Sequence, residues 1–339
     1  MTVAEHPVPA VQLRLEVQRS PVADEVSAIT AVVRPILEGL YYGMKEEIVA
    51  TVAGGRAAMP LMTMARLYRP GDGDVGICFE YAVHDAMNRN DSRVVERVKS
   101  ALNLCRVPGS AHSSILFGAE KSGALNLIQT ARERLTDESR ILTGAQAQPP
   151  KLRNYIYRLA QALRRPAARA GLPYSISGLW KADLFLGNVD ADRWVGTTVK
   201  VNQDYLEAAP GLRIGVVPTR QGRSDAVRRD EQRNMVVCPI PHDASFMQTF
   251  YEAWQVVRQF IEADALVPRE AALPRPAHRQ VAQYLADRRQ FPVLDVIEVL
   301  APLSQPELLE TQTVEADIVS QRDAKTNIDT IIAPRAREV

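Results

Sequence analysis

Two short apolar runs joined by a polar turn constrain the fold of this chain more than any other part of its sequence. The first run, residues 181–187, contains a single carboxylate, Asp183, and the second, residues 194–202, contains a single lysine, Lys200. Along the second run valine and threonine alternate with other residues, which is the period of a strand and would place Thr198 and Lys200 on one face. The two runs therefore predict adjacent strands in which Lys200 points toward Asp183.

The pairing of Asp183 with Lys200 has two interpretations. Acids and lysines are depleted in strands, and burying them is costly unless another group compensates their charge. A divalent cation is one such group, because aspartate oxygens bind hard cations and a nearby lysine can orient a water or stabilise a pentacoordinate phosphate. The other interpretation is a cross-strand ion pair at the edge of a structural hairpin, and the spacing alone leaves both open.

The arrangement resembles the PD-(D/E)XK, or restriction-endonuclease-like, nuclease superfamily, whose core has an aspartate on one central strand and an acid-X-lysine motif on the next. Asp183 matches the aspartate and Lys200 matches the lysine. Ala182 stands where proline is usual, and Thr198 stands where the second acid is expected. The resemblance covers roughly residues 76–263 with a large insertion, and it implies metal-dependent hydrolysis of DNA.

A third ligand is expected upstream, because some members of this superfamily replace the missing acid with a carboxylate from an earlier helix. Residues 76–87 have helical spacing, and Glu80 lies on the same face as His84, one turn later. The resemblance then implies that Glu80 and Asp183 bind the metal. The alternative is a glutamate at the margin of a surface helix that pairs with His84.

The resemblance also implies roles for the residues around these positions. Lys200 is expected to position the attacking water or to neutralise negative charge in the transition state. Thr198 would contribute a hydroxyl or a metal-bound water in place of the missing acid. Asn202 and Gln203 are expected to contact the phosphate.

The order of predicted elements indicates an α/β (α+β) fold with a central mixed β-sheet flanked by helices. After the lysine strand, residues 211–218 and 234–241 are predicted strands and residues 244–263 a long amphipathic helix. This is the succession of a restriction-endonuclease-like core, although the superfamily's usual helix after the lysine strand is not evident. Three regions are expected: a helical N-terminal region at 1–75, a nuclease-like core at 76–265 with an insertion at about 90–172, and a C-terminal extension at 266–339 that is the candidate surface for a protein partner or a second subunit.

The overall charge gives no long-range attraction to nucleic acid, since 41 basic residues against 40 acidic ones leave +1. Two local patches remain. Residues 151–169 carry six basic residues and no acid on a predicted amphipathic helix, and residues 220–233 read as a basic, glycine-containing loop between two strands. Each patch is also readable as ordinary solvated surface. The candidate nucleic-acid-binding residues are Lys151, Arg153, Arg158, Arg164, Arg165, Arg223, Arg228 and Arg229.

Several common kinds of site are absent from the sequence. The three cysteines are widely spaced, which indicates a reducing cytoplasm rather than a disulfide framework, and no apolar run approaches the ~20 residues of a membrane span. No HExxH, G-x-S-x-G or dinucleotide fingerprint is present. Residues 118–123 are not a phosphate loop, because Ala124-Leu125 follows the second glycine where Lys-Ser/Thr is required. They predict a strand-to-helix turn, with Glu120 and Lys121 as second-line site candidates. Among the histidines, His84 and His242 are the ones expected near the site.

The resemblance therefore implies a Mg²⁺-dependent endonuclease, with Mn²⁺ as a substitute cofactor, that hydrolyses DNA in restriction, phage defence or repair. Cutting both strands of a duplex often pairs two active sites, so a cytoplasmic homodimer that does not associate with a membrane is expected. One alternative, favoured by Thr198 in the acid position, is a nuclease-like subunit that has lost its chemistry and serves in DNA binding or assembly. Another is a mostly helical interaction protein in which the hairpin is incidental.

Overall fold

The structure, a computed structural model, describes most of the chain. The described residues are 21–68, 71, 74–117, 134–144, 148–219, 224–242, 246–305, 320–322 and 329–331. Three residues singled out from the sequence, Glu120, Lys121 and Arg223, lie outside these ranges, as does the predicted turn at 118–123.

Helices and strands alternate irregularly along the chain. The helices are α1 (Pro21–Gly43), α2 (Glu46–Val49), α3 (Leu61–Leu67), α4 (Asp74–Asn88), α5 (Ser92–Leu104), α6 (Ile156–Arg164), α7 (Phe246–Glu262), α8 (Pro276–Asp287) and α9 (Val293–Leu303). The strands are β1 (His112–Leu116), β2 (Arg140–Ile141), β3 (Leu184–Asn188), β4 (Arg193–Val199), β5 (Leu212–Pro218), β6 (Arg228–Asp230), β7 (Met235–Ile240), β8 (Ser320–Arg322) and β9 (Asp329–Ile331). Short 3₁₀ turns include Leu152–Asn154, Pro166–Gly171, Tyr174–Ile176, Leu179–Lys181 and Gln203–Tyr205.

Seven of the strands form one mixed sheet in the order β1-β3-β4-β5-β7-β6, with β2 paired to β4. Strand β3 is antiparallel to both β1 and β4, whereas β4, β5 and β7 are parallel to one another. Helices flank the sheet, so the predicted α/β class with a central mixed sheet is confirmed. The mostly helical alternative is wrong, because the sheet is the centre of the described fold.

The sheet separates two layers of helices. Along β7, Val236 and Cys238 belong to one cluster of buried side chains, and Met235 and Val237 to another, as expected when successive side chains point to opposite faces. The first cluster, the large layer, includes side chains of α1, α3, α4, α5, α7, α8 and α9. The second, the small layer, includes α6 and the 3₁₀ turns that precede β3. Since α1 contacts α4, α7, α8 and α9, the N-terminal and C-terminal regions share one core.

Helix α1 is the longest helix among the described residues and continues through Pro35. The short helix α2 follows it. One face of α1 is buried through residues such as Val33 and Leu37, while Arg34 and Glu38 are only partly buried. No helix in the described part of the chain has the length and apolar character needed to cross a bilayer.

The hairpin of β3 and β4 brings the two predicted site residues to one end of the sheet. Leu184 pairs with Thr197, and the amide of Asp183 donates to the Thr197 carbonyl at 2.9 Å, so Asp183 extends the ladder at the start of β3. Lys200 directly follows β4, and its amide donates to the Val216 carbonyl of β5 at 3.0 Å. The antiparallel register therefore determines that Asp183 and Lys200 are neighbours.

Two local predictions differ from the structure. Residues 220–233 were expected to be a loop, but Arg228–Asp230 form strand β6, which pairs with β7 at the edge of the sheet. The basic helix expected to start near residue 151 begins later, because Leu152–Asn154 form a 3₁₀ turn and α6 starts at Ile156; α6 ends at Arg164, just before Pro166. Arg165, which precedes the proline, is extended with φ −128° and ψ 108°, the conformation that a following proline favours.

Helix α4 is held to the first strand by His84. Asn88 Nδ2 donates to His84 Nε2 at 3.1 Å, so the ring proton is on Nδ1, which donates to Ser114 Oγ of β1 at 3.0 Å. Burial, together with the charge of Arg134, lowers the pKa of His84 to about 3. This contact fixes the helix that carries Glu80 against the sheet.

We expect Gly187→Ala to lower the free energy of unfolding by ~1–3 kcal/mol, because overpacking a filled core forces neighbours to move. A Cβ at this position in β3 would overlap the Arg193 carbonyl oxygen and the ring of Trp194 on the adjacent strand. The measurement is urea unfolding followed by circular dichroism. Gly76→Ala in α4 is the matched control: no atom lies within 4 Å of its added Cβ, so it should stabilise by up to ~1 kcal/mol through helix propensity. Equal stability of Gly187→Ala and wild type would contradict the close approach of β3 and β4.

We expect acid to destabilise wild type more than His84→Gln. In the unfolded chain the histidine takes up a proton below its ordinary pKa of 6.5, whereas in the folded chain it stays neutral down to about pH 3. Unfolded molecules therefore bind more protons in this window, and the contribution of His84 to stability falls with decreasing pH by up to ~1.4 kcal/mol per pH unit. Urea midpoints measured from pH 7 to pH 4 test this, and parallel pH curves for the two proteins would contradict a buried neutral histidine.

Candidate active site

Asp183 is fully buried, and one of its oxygens accepts three hydrogen bonds. Lys200 Nζ and the Val199 amide each donate to Asp183 Oδ2 at 2.8 Å, and Thr198 Oγ1 donates to the same oxygen at 2.9 Å. The exposed fraction of Asp183 is 0 %. Charge-assisted donors of this kind hold a carboxylate in a single orientation. Residues at the end of β4 and directly after it thus hold Asp183 through three hydrogen bonds.

Glu80 reaches the same lysine from a different element. It lies on α4, which packs against β1 and β4, and it is only 6 % exposed. Its Oε1 atom is 3.8 Å from Lys200 Nζ, the ammonium that also contacts Asp183. Three side chains that are far apart in the sequence therefore converge on one point of the structure.

One ammonium serves both acids of this cluster. Glu80 and Asp183 contribute two carboxylates, and Lys200, whose side chain is 28 % exposed, contacts each of them. Removing a carboxylate from water costs roughly several kcal/mol unless a positive charge lies beside it. A hard divalent cation is another partner that carboxylate oxygens select.

The donor set fits magnesium better than a metal that needs a closed protein shell. Within the residues described, no group of three or more histidine, cysteine, aspartate or glutamate side chains is arranged to hold a metal ion. Mg²⁺ usually keeps several of its waters and is bound through about one or two carboxylates, whereas structural zinc sites need about four protein ligands. Glu80 and Asp183 are the two carboxylates at hand.

A second ion pair beside the site is invisible in the sequence pattern. Lys181, two residues before Asp183, contacts Glu207 on the connection from β4 to β5. The hydrogen bond from Lys181, its charge and the more distant charge of Lys200 lower the pKa of the Glu207 carboxyl. Loop 201–211 is thereby tied to the segment that leads into β3. Lys181 and Glu207 have no periodic relation, so only the fold reveals their proximity.

The expected supporting residues have distinct local roles. The hydroxyl of Thr198 donates a hydrogen bond to Asp183 and so orients that acid. It does not replace the second acid of the superfamily motif. The side chain of Asn202 accepts from the Asp204 amide at 3.0 Å and caps the Gln203–Tyr205 turn. Gln203 is half-buried within that turn.

The two candidate histidines are used for packing. His84 bonds to Ser114 and Asn88, as described above, and its low pKa keeps it neutral at physiological pH. The ring of His242 stacks on Tyr251 of α7, with ring centroids 5.5 Å apart. Neither contact is that of a metal ligand.

The candidate nucleic-acid-binding residues fall into two separate places. Arg158, Arg164 and Arg165 are exposed on α6 or at its end. Lys151 and Arg153, just before α6, form ion pairs with Glu138 and Asp137.

The other two described candidates lie at the edge of the sheet. Arg228 and Arg229 are in β6, three strand positions from β4. The guanidinium of Arg229 donates to the Leu104 carbonyl at the end of α5. The structure thus places the basic residues around α6 in the small layer, and those of β6 beyond β7.

Comparison with known proteins identifies no relative: no protein-family model, no curated protein and no solved structure matches this chain. The convergence of Glu80, Asp183 and Lys200 is therefore the observation on which a functional proposal rests.

Proposed function

We propose that this chain is a divalent-metal-dependent deoxyribonuclease of the PD-(D/E)XK type, which hydrolyses phosphodiester bonds in DNA. One observation carries the proposal: the ammonium of Lys200 lies 2.8 Å from the buried Asp183 and 3.8 Å from the buried Glu80. The resemblance seen in the sequence requires these three side chains to meet, and they do so although they come from α4, the start of β3 and the end of β4.

Glu80 and Asp183 would hold the metal, Mg²⁺ or Mn²⁺. A bound divalent ion supplies Lewis-acid polarisation of the scissile phosphate and lowers the pKa of a coordinated water. The two acids fit this role because each is almost completely buried and the pair matches the small number of carboxylates that Mg²⁺ sites use.

The chain's own groups orient the reactants. Lys200 is partly exposed, so its ammonium is accessible to an incoming phosphate or to the attacking water, and its positive charge stabilises negative charge that develops on the phosphate oxygens. Thr198 and the Val199 amide keep Asp183 in place. Preorganised charges of this kind cost no rearrangement during the reaction.

The biological setting follows from the resemblance. Nucleases of this superfamily in bacteria act in restriction, phage defence or repair, and we propose the same range of roles in the cytoplasm for this chain. A homodimer would place two sites on the two strands of a duplex. The basic residues of α6 are the surface that we assign to the phosphate backbone.

We expect Asp183→Asn and Lys200→Gln each to lower the rate of DNA cleavage by at least ~100-fold, since each removes a charge that acts on the transition state. Cleavage of plasmid DNA and of single-stranded DNA in Mg²⁺, with EDTA as the blank, measures the effect. Thermal unfolding of each variant separates loss of chemistry from loss of fold.

Asp264→Asn is the matched control for the removal of a carboxylate. Asp264 is exposed after the end of α7 and has a φ of 53°, a conformation that asparagine also adopts. This variant should cleave DNA like wild type. If folded Asp183→Asn cleaves as fast as Asp264→Asn, Asp183 has no part in the mechanism.

The second candidate function is a DNA-binding or assembly subunit without chemistry. Thr198 in the acid position favours it, because the hydroxyl supplies no negative charge and the Asp183 oxygen that it contacts already accepts Lys200. Calorimetric titration with Mn²⁺ discriminates the two functions. An active site binds Mn²⁺ and loses that binding in Asp183→Asn, whereas a disabled site gives no heat in either protein.

A further inference from the structure

The small layer exposes an unusual set of aromatic side chains. Among the described residues, the tyrosines that are at least half exposed are Tyr157 at 51 %, Tyr174 at 85 % and Tyr205 at 67 %. All three lie in this layer, on α6 or on the turns whose neighbouring residues Ile176 and Leu206 belong to its core. Tyrosines of the large layer are buried or only partly exposed. The rings of Tyr174 and Tyr205 therefore lie mostly outside the core.

The same layer carries a strongly basic segment. From residue 148 to residue 182 the chain contains seven basic residues and no acid. They are Lys151, Arg153, Arg158, Arg164, Arg165, Arg169 and Lys181. Acids from elsewhere in the chain pair with Lys151, Arg153 and Lys181, but all three acids are more than 60 % exposed. Exposed ion pairs contribute little free energy, so a phosphate can replace these partners.

Two of the tyrosines adjoin the proposed active site along the chain. Tyr174 lies on the turns that lead into Asp183, and Tyr205 lies on loop 201–211, which starts directly after Lys200. The ion pair between Lys181 and Glu207 joins these two segments. The segments that carry Tyr174 and Tyr205 are therefore held to each other by a contact two residues before Asp183.

A cleft at the other end of loop 201–211 is lined by residues of both segments. Its volume is about 400 Å³, and its walls include Tyr174, Arg233 and residues 208–211. The cleft is open to solvent and combines an aromatic ring with a guanidinium group. Aromatic rings and arginine planes are the groups on which proteins stack unpaired bases.

We propose that the exposed side of the small layer binds single-stranded DNA, with unpaired bases stacked on Tyr205 and Tyr174 and with the backbone phosphates on the basic residues around α6. In a duplex the faces of the bases are covered by their neighbours, so isolated exposed rings gain contact area only from unpaired bases. The inference deepens the proposed nuclease function by assigning its substrate as DNA that is unpaired next to the scissile phosphate. Binding itself does not depend on the metal or on catalysis.

The test is fluorescence anisotropy of labelled oligo(dT) and of a duplex of the same length, with the wild-type chain in EDTA. We expect tighter binding of oligo(dT), with an affinity that falls as salt is added because basic residues replace counterions. Tyr205→Ala and Tyr174→Ala should each weaken binding of oligo(dT) by ~5-fold or more, the loss expected for one stacked base. The affinity for duplex should change little.

Matched variants separate stacking from other effects. Tyr205→Phe keeps the ring and should bind oligo(dT) like wild type. Phe291→Ala removes an aromatic side chain that is 57 % exposed between α8 and α9, in the large layer, and should have no effect. Because the mutated residues are mostly exposed, folding is expected to be retained.

Two outcomes would overturn the inference: duplex bound at least as tightly as oligo(dT), or alanine variants of both tyrosines that bind oligo(dT) like wild type. Cleavage assays distinguish this failure from failure of the proposed function. Duplex cleavage that needs Asp183 but neither tyrosine would leave the nuclease and remove the single-strand surface. Tyrosine-dependent binding of oligo(dT) without any cleavage would leave the single-strand surface and remove the nuclease.

Discussion

The contact of one ammonium with two buried carboxylates is the interaction around which the rest of the structure is arranged. Asp183 is completely buried and Glu80 nearly so, and neither position is favourable for an acid without a positive charge beside it. Lys200 supplies that charge from the end of a central strand, at 2.8 Å from one acid and 3.8 Å from the other. Such an arrangement costs stability compared with apolar residues of the same volume, so its presence points to a functional requirement.

Two structural devices hold the cluster together. The antiparallel register of β3 and β4 makes the start of one strand the neighbour of the end of the other, so Asp183 and Lys200 meet without any special loop. Glu80 depends on the packing of α4 against β1 and β4, to which the contact of His84 with Ser114 contributes. The hairpin is local, whereas the helix contact joins residues far apart in the chain. The acid on the helix is therefore the part of the site that relies most on the whole fold.

The parts of this arrangement that the sequence reveals are those with a local period. Alternation along residues 194–202 predicts the strand and the common face of Thr198 and Lys200, and helical spacing predicts α4 around Glu80. Strand β6 was not predicted, because it forms by pairing with β7, and this tertiary contact outweighs the composition of the segment. Two side-chain contacts were not predicted either: that of Lys181 with Glu207 and that of His84 with β1. No periodicity links the positions of the partners. The metal-binding role of the two acids is inferred from the resemblance, whereas their convergence on Lys200 is seen in the structure.

The threonine in the acid position has a physical consequence for the proposed chemistry. An acid at residue 198 would add a third carboxylate next to Asp183 and Glu80, and one lysine would then face three negative charges. Thr198 instead donates a hydrogen bond to the same oxygen that Lys200 contacts, which fixes the orientation of Asp183 without adding a negative charge. Two carboxylates would bind a divalent cation more weakly than three, because affinity rises with the charge of the ligands. In the proposed nuclease, metal binding would then depend strongly on the phosphate of the substrate, whose negative charge adds to that of the two acids.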